Sequence, residues 1–243
     1  MFPIVMVANF SGNTGKTTLV KSLLAPNMPG AKLFAVEDVN AGYNQGEAVQ
    51  LTAEQTSLIL EQALEAALTG PVIVDVGASN VSNFFSALMG YEGFHEFIAR
   101  VLVPTEPSEK VQTDTISTLH YLIEKLGFDE SKVMLVLNKV PPRRGSELVF
   151  GRLIAEAAEL GVLTYGEVPE SDTFQFAAAM GKTIHELAAM DPKELLAQSQ
   201  AAVSAGADPK AGVRSVLAAS SAKKLRSRLD EIFAALGIDI GDA

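Results

Sequence analysis

Six short apolar runs alternate with amphipathic helices along the chain. The runs that we interpret as strands share β-branched residues and polar, Gly or Pro boundaries, and they cover residues 4–8, 32–37, 71–76, 100–103, 132–137 and 162–168. The helices between them are predicted at 16–24, 52–69, 108–126 and 146–160. Strands that are apolar throughout are buried on both faces. The pattern therefore predicts an α/β fold, with a mostly parallel sheet covered by helices on both faces.

The composition limits the class of protein. The 243 residues include no cysteine, which excludes disulfides, thiolate chemistry and Cys-based zinc sites. No apolar run approaches the ~20 residues that a membrane span needs, and no basic region precedes the first apolar run. We therefore expect a cytoplasmic protein. A net charge of −10 disfavours binding to DNA or anionic lipid except through a local basic patch.

A glycine-rich turn, NFSGNTGKTTLV, follows the first predicted strand. Gly12 and Gly15 let the backbone curl so that its N–H groups point inward, Lys16 supplies positive charge, and Thr17 supplies a hydroxyl for Mg²⁺. The standard P-loop pattern, G-x-x-x-x-G-K-[ST], has a glycine where Phe10 stands. The strand–loop–helix context still predicts a nucleotide-binding loop made of Ser11, Gly12, Asn13, Thr14, Gly15, Lys16, Thr17 and Thr18.

The loop, SGNTGKT, resembles the deviant Walker A motif K-G-G-x-G-K-[ST] of the ParA/MinD ATPases. PVIVDVGAS is similar to that family's Walker B strand and places its aspartate at Asp75. VLVPTEPS is similar to the strand and turn that follow. VMLVLNKV resembles the strand whose asparagine, here Asn138, reads adenine. GEVPES, with Pro169 and Glu170, resembles the last loop over the base. The resemblance covers roughly residues 1–190, and NFSGNTGKTT with LLAPNMPGAKLFAVEDVNA looks closer still to the StbB branch of plasmid stability proteins.

This resemblance implies a ParA/MinD-like P-loop NTPase fold that uses ATP and Mg²⁺, with Lys16 as a catalytic residue and Thr17 and Asp75 at the metal. The family's D-x-D switch motif has two possible registers in VEDVNAG. In one, Asp38 is the catalytic and metal-site carboxylate and Asn40 stands at the second position. In the other, Glu37 is the only carboxylate. We favour Asp38 and keep Glu37 as the alternative.

Ser11 is the main departure from the family pattern, because it stands where the family has its signature lysine. That lysine crosses a nucleotide-sandwiched dimer to the partner's nucleotide, and a serine cannot carry its charge. Another basic residue could replace it, with Lys139, Arg143 and Arg144 as candidates. Otherwise hydrolysis is slow, or the dimer differs. A missing arginine finger costs several orders of magnitude in related phosphoryl transfer, so we expect weak ATPase activity.

The base is predicted to be adenine. GTPases of the wider superfamily use N-K-x-D, whose aspartate holds guanine. This chain has NKVP, with Pro141 in place of that aspartate. A site without the carboxylate loses its guanine-specific hydrogen bonds, so ATP is the expected ligand.

We divide the chain into a P-loop ATPase domain, 1–204, and a basic amphipathic helical tail, 205–243, packed on the same domain. An apolar stripe at helical spacing is formed by Leu225, Leu229, Ile232, Phe233 and Leu236. Positive charge gathers at Lys223, Lys224, Arg226 and Arg228. A packed final helix with a solvated polar face is the simplest interpretation. Non-specific DNA binding is an alternative, and the acids of LDEIF disfavour membrane binding.

The sequence thus predicts an ATPase that acts as a nucleotide-dependent homodimerisation switch with a partition or adaptor partner, in plasmid stability or intracellular positioning. Two alternatives remain open at this stage. One is an ATP-dependent small-molecule synthetase or kinase on the same scaffold, in which Arg143 and Arg144 would hold an anionic substrate. The other is a nucleotide-binding module that barely hydrolyses ATP.

Overall fold

The computed structural model of the chain describes residues 1–36, 43, 48–51, 55–206 and 208–241. The predictions on Glu37, Asp38, Asn40 and the helix-capping Thr52 lie outside the described residues. The strands are β1 Ile4–Val7, β2 Lys32–Val36, β3 Val49–Leu51, β4 Val72–Val76, β5 Ile98–Thr105, β6 Val133–Val140 and β7 Thr164–Pro169. They form a parallel sheet in the order β3-β2-β4-β1-β5-β6-β7.

All six predicted strands are present, but the sheet has a seventh. β3, at the edge beside β2, was not predicted because three residues are too few for a recognisable apolar pattern. β5 and β6 run longer than expected. β6 continues past the predicted end at residue 137 and includes Asn138 and Lys139, with an irregular register against β7.

The helices are α1 Lys16–Leu19, α2 Thr56–Ala67, α3 Val81–Met89, α4 Glu109–His120, α5 Ser146–Glu159, α6 Thr173–Ala179, α7 Ile184–Ala189, α8 Pro192–Ser204 and α9 Pro209–Ala235. Two of these helices continue as π-helical turns: α1 at Val20–Leu24 and α4 at Tyr121–Lys125. Such turns are rare and are often found beside functional sites.

The core lies on both sides of the central strands. Every residue of β1 and β4 is buried, so helices and loops must cover both faces of the sheet. Phe34, Phe84, Phe85 and Phe150 are among the largest fully buried side chains. This burial explains why the apolar strand pattern was so clear in the sequence.

The chain divides into two compact units. One consists of Met1–Glu170 with Ile232–Ala243, and the other of Ser171–Glu231. This division differs from our boundary at 204, which falls at the end of α8 and within the second unit. The amphipathic stripe of α9 is divided too: Leu225 and Leu229 are buried in the second unit, whereas Ile232 belongs to the first.

The C-terminal segment is anchored within the first unit. Arg100 on β5 donates from Nε to the carbonyl oxygen of Leu236 at 3.1 Å and from Nη2 to that of Gly237 at 3.2 Å. Gly166 on β7 lies so close to Ile232 that a Cβ there would stand 2.7 Å from two of its carbons. No helix within the described ranges is long and apolar enough to cross a membrane.

Candidate functional site

The predicted phosphate loop lies at the carboxyl edge of the sheet. β4, β1, β5 and β6 are parallel neighbours in that order, so their carboxyl ends meet at one edge, where ligands of such sheets bind. An open cleft of about 660 Å³ lies there. It is lined by residues 12–18 of the loop together with Ala35, Asp75, Gly77, Ala78, Ser79, Glu106 and Lys139.

The loop backbone is left-handed at two positions. Gly15 has φ +86°, and Asn13 has φ +59°. Asparagine is one of the few residues that adopt this conformation readily, which explains how Asn13 can replace the second glycine of the family motif. Gly15 has an additional constraint, because a Cβ at this residue would lie 2.2 Å from Nδ2 of Asn138.

Lys16 is buried at the start of α1 and turns back over the loop. Its Nζ donates to the carbonyl oxygen of Ser11 at 2.8 Å and, at 3.4 Å, to that of Asn9. The ammonium group is thus held within the curl of the loop by main-chain oxygens. It lines the cleft with Gly15 and Thr17, where an anionic phosphate would replace neutral acceptors as its partner.

Thr17 and Asp75 are brought together at the cleft. The Thr17 hydroxyl donates to Oδ2 of Asp75 at 2.7 Å, and Tyr43 donates its hydroxyl to the same oxygen at 2.8 Å. Oδ1 of Asp75 is buried without a hydrogen-bond partner among the described residues. Burial raises the pKa of Asp75, while the hydrogen bonds from Thr17 and Tyr43 and the charge of Lys16 act in the opposite direction.

These two residues match the donor set that Mg²⁺ prefers beside a nucleotide. Mg²⁺ takes hard oxygen ligands and is commonly held by one or two protein groups, the substrate phosphates and water. A hydroxyl beside a buried carboxylate oxygen that lacks a partner supplies such groups. No cluster of three or more His, Cys, Asp or Glu side chains that could hold a metal is found in the described ranges.

A buried polar network connects the residues before the glycines to α4. Asn9 donates from Nδ2 to the carbonyl oxygen of Pro104 at 2.9 Å and to the hydroxyl of Thr115 at 2.8 Å. Its Oδ1 accepts from the backbone N–H of Ser11 at 2.8 Å. The N–H of Phe10 donates to the Thr118 hydroxyl at 3.1 Å. The loop entrance is therefore held to α4 at two consecutive residues, Asn9 and Phe10.

Ser11 does not project into solvent, as a residue reaching toward a partner would. Its side chain is buried. Asp114 on α4 accepts from the Lys110 ammonium at 2.8 Å, and this contact is the main cause of the lowered pKa of Asp114, to which the nearby Ser11 hydroxyl also contributes. The position of the family's signature lysine is thus occupied by a small side chain that faces α4.

Phe10 anchors the loop through an aromatic cluster. Its ring packs edge-on against Phe85 and Tyr121, with centroids 5.6 Å away in both cases, and those two rings stack at 5.4 Å. Tyr121 begins the π-helical turn after α4. Phe10, which stands where the standard P-loop pattern has its first glycine, therefore has a packing role. The only sequence feature that pointed to this role was the absence of that glycine.

Asn138 and Lys139 both contact the loop backbone. Asn138 is buried, its Nδ2 donates to the carbonyl oxygen of Thr14 at 2.8 Å, and its Oδ1 accepts from the N–H of Lys139 at 2.9 Å. Lys139 has φ +53° and donates from Nζ to the carbonyl oxygen of Asn13 at 3.0 Å. It also forms an ion pair with Glu106. The reading of adenine by Asn138 stays a prediction.

The other predicted residues of the described ranges do not line the cleft. Glu170 is exposed at the end of β7, where its N–H donates to the carbonyl oxygen of Val140 at 3.0 Å. Arg143 and Arg144 are on the exposed turn after β6. In the part of the chain that the structure describes, these three residues and Pro169 are not among those lining the cleft, whereas Lys139 is.

Sequence reasoning missed Glu106, which lines the cleft, and Tyr43, which donates a hydrogen bond to Asp75. Glu106 follows β5 directly, so its place at the carboxyl edge of the sheet was a usable signal. Tyr43 had no comparable signal, because a tyrosine in a Gly- and Asn-containing stretch, AGYNQG, carries no motif.

Comparison with solved structures supports the fold. A Cyanothece McdA variant in complex with ATP matches with a TM-score of 0.56 and 15% identity, over 100% of this chain and 99% of that chain. Apo McdA matches with a TM-score of 0.52 and 16% identity, over 77% and 93%. The chain has the fold of McdA. The predicted α/β class, with a parallel sheet covered by helices on both faces, is thereby confirmed. No family model matches the sequence, and no curated protein matches it significantly.

Proposed function

We propose that the protein is an ATP- and Mg²⁺-binding P-loop ATPase of the ParA/MinD type. The observation that carries this proposal is the contact between Thr17 and Asp75, at 2.7 Å, beside a loop that holds the Lys16 ammonium. A hydroxyl, a buried carboxylate and a lysine at the N-terminus of a helix form the set that binds a nucleotide polyphosphate with its metal. The ATP bound by the structurally similar McdA variant agrees with this proposal.

In this proposal the chain's own residues divide the work. The N–H groups of the loop and the Lys16 ammonium would hold the phosphates, while Thr17 and Asp75 would hold Mg²⁺. The metal supplies positive charge against the developing negative charge of the transferred phosphoryl group. Asp38, with Glu37 as the alternative, remains the proposed carboxylate that orients the attacking water. Adenine remains the proposed base because Pro141 cannot replace the guanine-binding aspartate.

We propose that hydrolysis is slow, because no cation stands at position 11. Ser11 faces Asp114, and Lys139, which lines the cleft, is engaged by Glu106 and the carbonyl oxygen of Asn13. These contacts also favour the second candidate, a module that binds nucleotide but barely hydrolyses it. The small-molecule kinase receives no such support, because the proposed anion-binding pair, Arg143 and Arg144, lies on an exposed turn.

We further propose that ATP brings two copies together and that a partition or adaptor protein recognises this state, in plasmid stability or intracellular positioning in the cytoplasm. The resemblance to the StbB branch supports the plasmid role. DNA contact through the exposed Lys223, Lys224 and Arg228 on α9 belongs to the same proposal. The domain division at 204 is likewise retained only as an alternative to the two units described above.

Calorimetric titration with ATP and GTP in the presence of Mg²⁺ tests the nucleotide site. Lys16→Ala should weaken ATP binding by about tenfold or more, because it removes a charge-assisted hydrogen bond to phosphate. The chain offers a matched control in Lys182, which stands in a second Gly-Lys-Thr triplet, before α7. Lys182→Ala should bind ATP like the parent protein. Normal ATP binding by Lys16→Ala, or tighter binding of GTP than of ATP, contradicts the proposal.

A further inference from the structure

Two hydroxyl groups meet at one oxygen of Asp75. Thr17 donates to Oδ2 at 2.7 Å, and Tyr43 donates to the same atom at 2.8 Å. The hydroxyl of Tyr43 therefore stands beside the hydroxyl that would bind Mg²⁺. Tyr43 lies in the connection between β2 and β3, outside the loop, α1 and β4, which supply the rest of the metal site.

A second contact places the Tyr43 ring. The ammonium of Lys21, on the π-helical turn after α1, lies over the ring at 4.8 Å from its centroid. This is within the range of an attractive cation–π contact. The ring is thus held against the helix that begins at the phosphate loop, while its hydroxyl reaches Asp75.

A hydrated metal held at the Thr17 hydroxyl would compete with Tyr43 for the oxygen of Asp75 that this hydroxyl contacts. Mg²⁺ keeps several of its water ligands when it binds beside phosphates, and those waters donate hydrogen bonds to nearby carboxylates. Oδ2 of Asp75 accepts a hydrogen bond from the Thr17 hydroxyl, and Tyr43 donates to the same oxygen. A water bound to a metal at Thr17 would therefore compete with the Tyr43 hydroxyl for Oδ2 of Asp75.

We propose that the Tyr43 hydroxyl takes the place, on Asp75, of a Mg²⁺-bound water and leaves Asp75 when Mg²⁺ and nucleotide bind. The inference rests on the proposed ATP-binding function. Tyr43 is a positioning residue, because it acts on Asp75 and not on the nucleotide. It donates to Oδ2 of the buried carboxylate in the metal-free state, and it competes with the metal's water for that oxygen. The position of Tyr43 then depends on whether Mg²⁺ is bound.

Mg²⁺ affinity tests the competition. A slowly hydrolysed ATP analogue is first bound to the protein in the presence of a chelator, and Mg²⁺ is then titrated by calorimetry. Tyr43→Phe keeps the ring and its contact with Lys21 but removes the hydroxyl, so Mg²⁺ should bind more tightly by several-fold, about tenfold at most. Tyr91→Phe removes a hydroxyl from an exposed residue elsewhere and should leave Mg²⁺ affinity unchanged.

Tyrosine NMR supplies a readout that does not depend on activity. The chain has four tyrosines, so protein labelled with ¹³C at tyrosine Cζ should give four signals, and the one missing from Tyr43→Phe belongs to Tyr43. We expect that signal to shift when Mg²⁺ is added to the analogue-bound protein. Nucleotide alone should change it less.

Each outcome has a distinct meaning. Unchanged or weaker Mg²⁺ binding by Tyr43→Phe overturns the inference, because the hydroxyl would then be neutral toward the metal or assist it. So does a Tyr43 signal that ignores Mg²⁺ in a protein that binds the analogue. Failure of the parent protein to bind the analogue at all instead overturns the proposed function, and this inference with it.

Discussion

At the scale of single residues, the two loop glycines differ in whether the structure tolerates a side chain at their position. Gly15 combines φ +86° with a contact that places a Cβ 2.2 Å from Nδ2 of Asn138, whereas Gly12 has open space around it and a φ that L residues adopt. Gly15→Ala should therefore lower the free energy of unfolding by about 1–3 kcal/mol and weaken ATP binding. Gly12→Ala should change the nucleotide-free stability by less than about 0.5 kcal/mol. Urea unfolding without nucleotide compares the two, and equal losses would refute this assignment.

The Asp75 carboxylate is a second case, because the site costs stability when it is empty. Burial raises the pKa of Asp75 in the folded state above its ordinary 3.8. At pH values between 3.8 and this raised pKa, the folded state therefore binds more protons than the unfolded state. Stability then decreases as pH rises through that window, and the ionised group is a cost at neutral pH. Asp75→Asn should therefore raise the free energy of unfolding of the metal-free protein at neutral pH. It should also remove the effect of Mg²⁺ on nucleotide affinity.

Thermal unfolding in a chelator, followed across pH, checks this prediction. The gain from Asp75→Asn should shrink as the pH falls toward 3.8, where the native carboxyl is already protonated. Asp114→Asn is the control of opposite sign, because the hydrogen bond from Lys110 lowers the pKa of Asp114 and its ionised form is stabilising. A loss of stability in Asp75→Asn at neutral pH would show that the hydrogen bonds from Thr17 and Tyr43 outweigh the cost of burial.

At the scale of elements, the phosphate loop depends on α3 and α4 as much as on its own glycines. Phe10 packs against Phe85 of α3 and against Tyr121, which follows α4. Phe10→Gly would restore the standard P-loop pattern, yet it should lower the free energy of unfolding by about 2–3 kcal/mol, because it removes a half-buried ring. Phe10→Leu should cost less. Urea unfolding and ATP titration measure both effects, and tighter nucleotide binding by Phe10→Gly would contradict this account.

The same elements show what sequence could and could not predict. β1, β4 and β6 were predictable because burial on both faces leaves a continuous apolar pattern, and the loop was predictable because its glycines and lysine follow a strand. β3 was missed because three residues carry no periodicity. The direction of Ser11 toward Asp114, and of Asn138 toward Thr14, depends on contacts between elements far apart in sequence. A motif states which residue stands at a position but not which neighbour its side chain bonds.

At the scale of the whole molecule, charge bears on self-association. Each copy carries a net charge of −10, so two copies repel each other at long range, and a bound nucleotide adds further negative charge. Mg²⁺ at Thr17 and Asp75 would offset part of that charge within the cleft. A nucleotide-dependent dimer of this chain should therefore require Mg²⁺ and become more stable as salt screens the repulsion between the two copies.

Light scattering of the intact chain tests this expectation. The mass should stay near 25.7 kDa without nucleotide and with ADP, and should double with a slowly hydrolysed ATP analogue and Mg²⁺. Lys16→Ala should remain monomeric with the analogue, while Lys182→Ala should dimerise like the parent protein. Doubling would show that the dimer forms without a lysine at position 11, and Lys139→Ala would then test whether Lys139 replaces it. A constant mass despite measured binding of the analogue would exclude the dimerisation switch and favour a module that acts as a single copy.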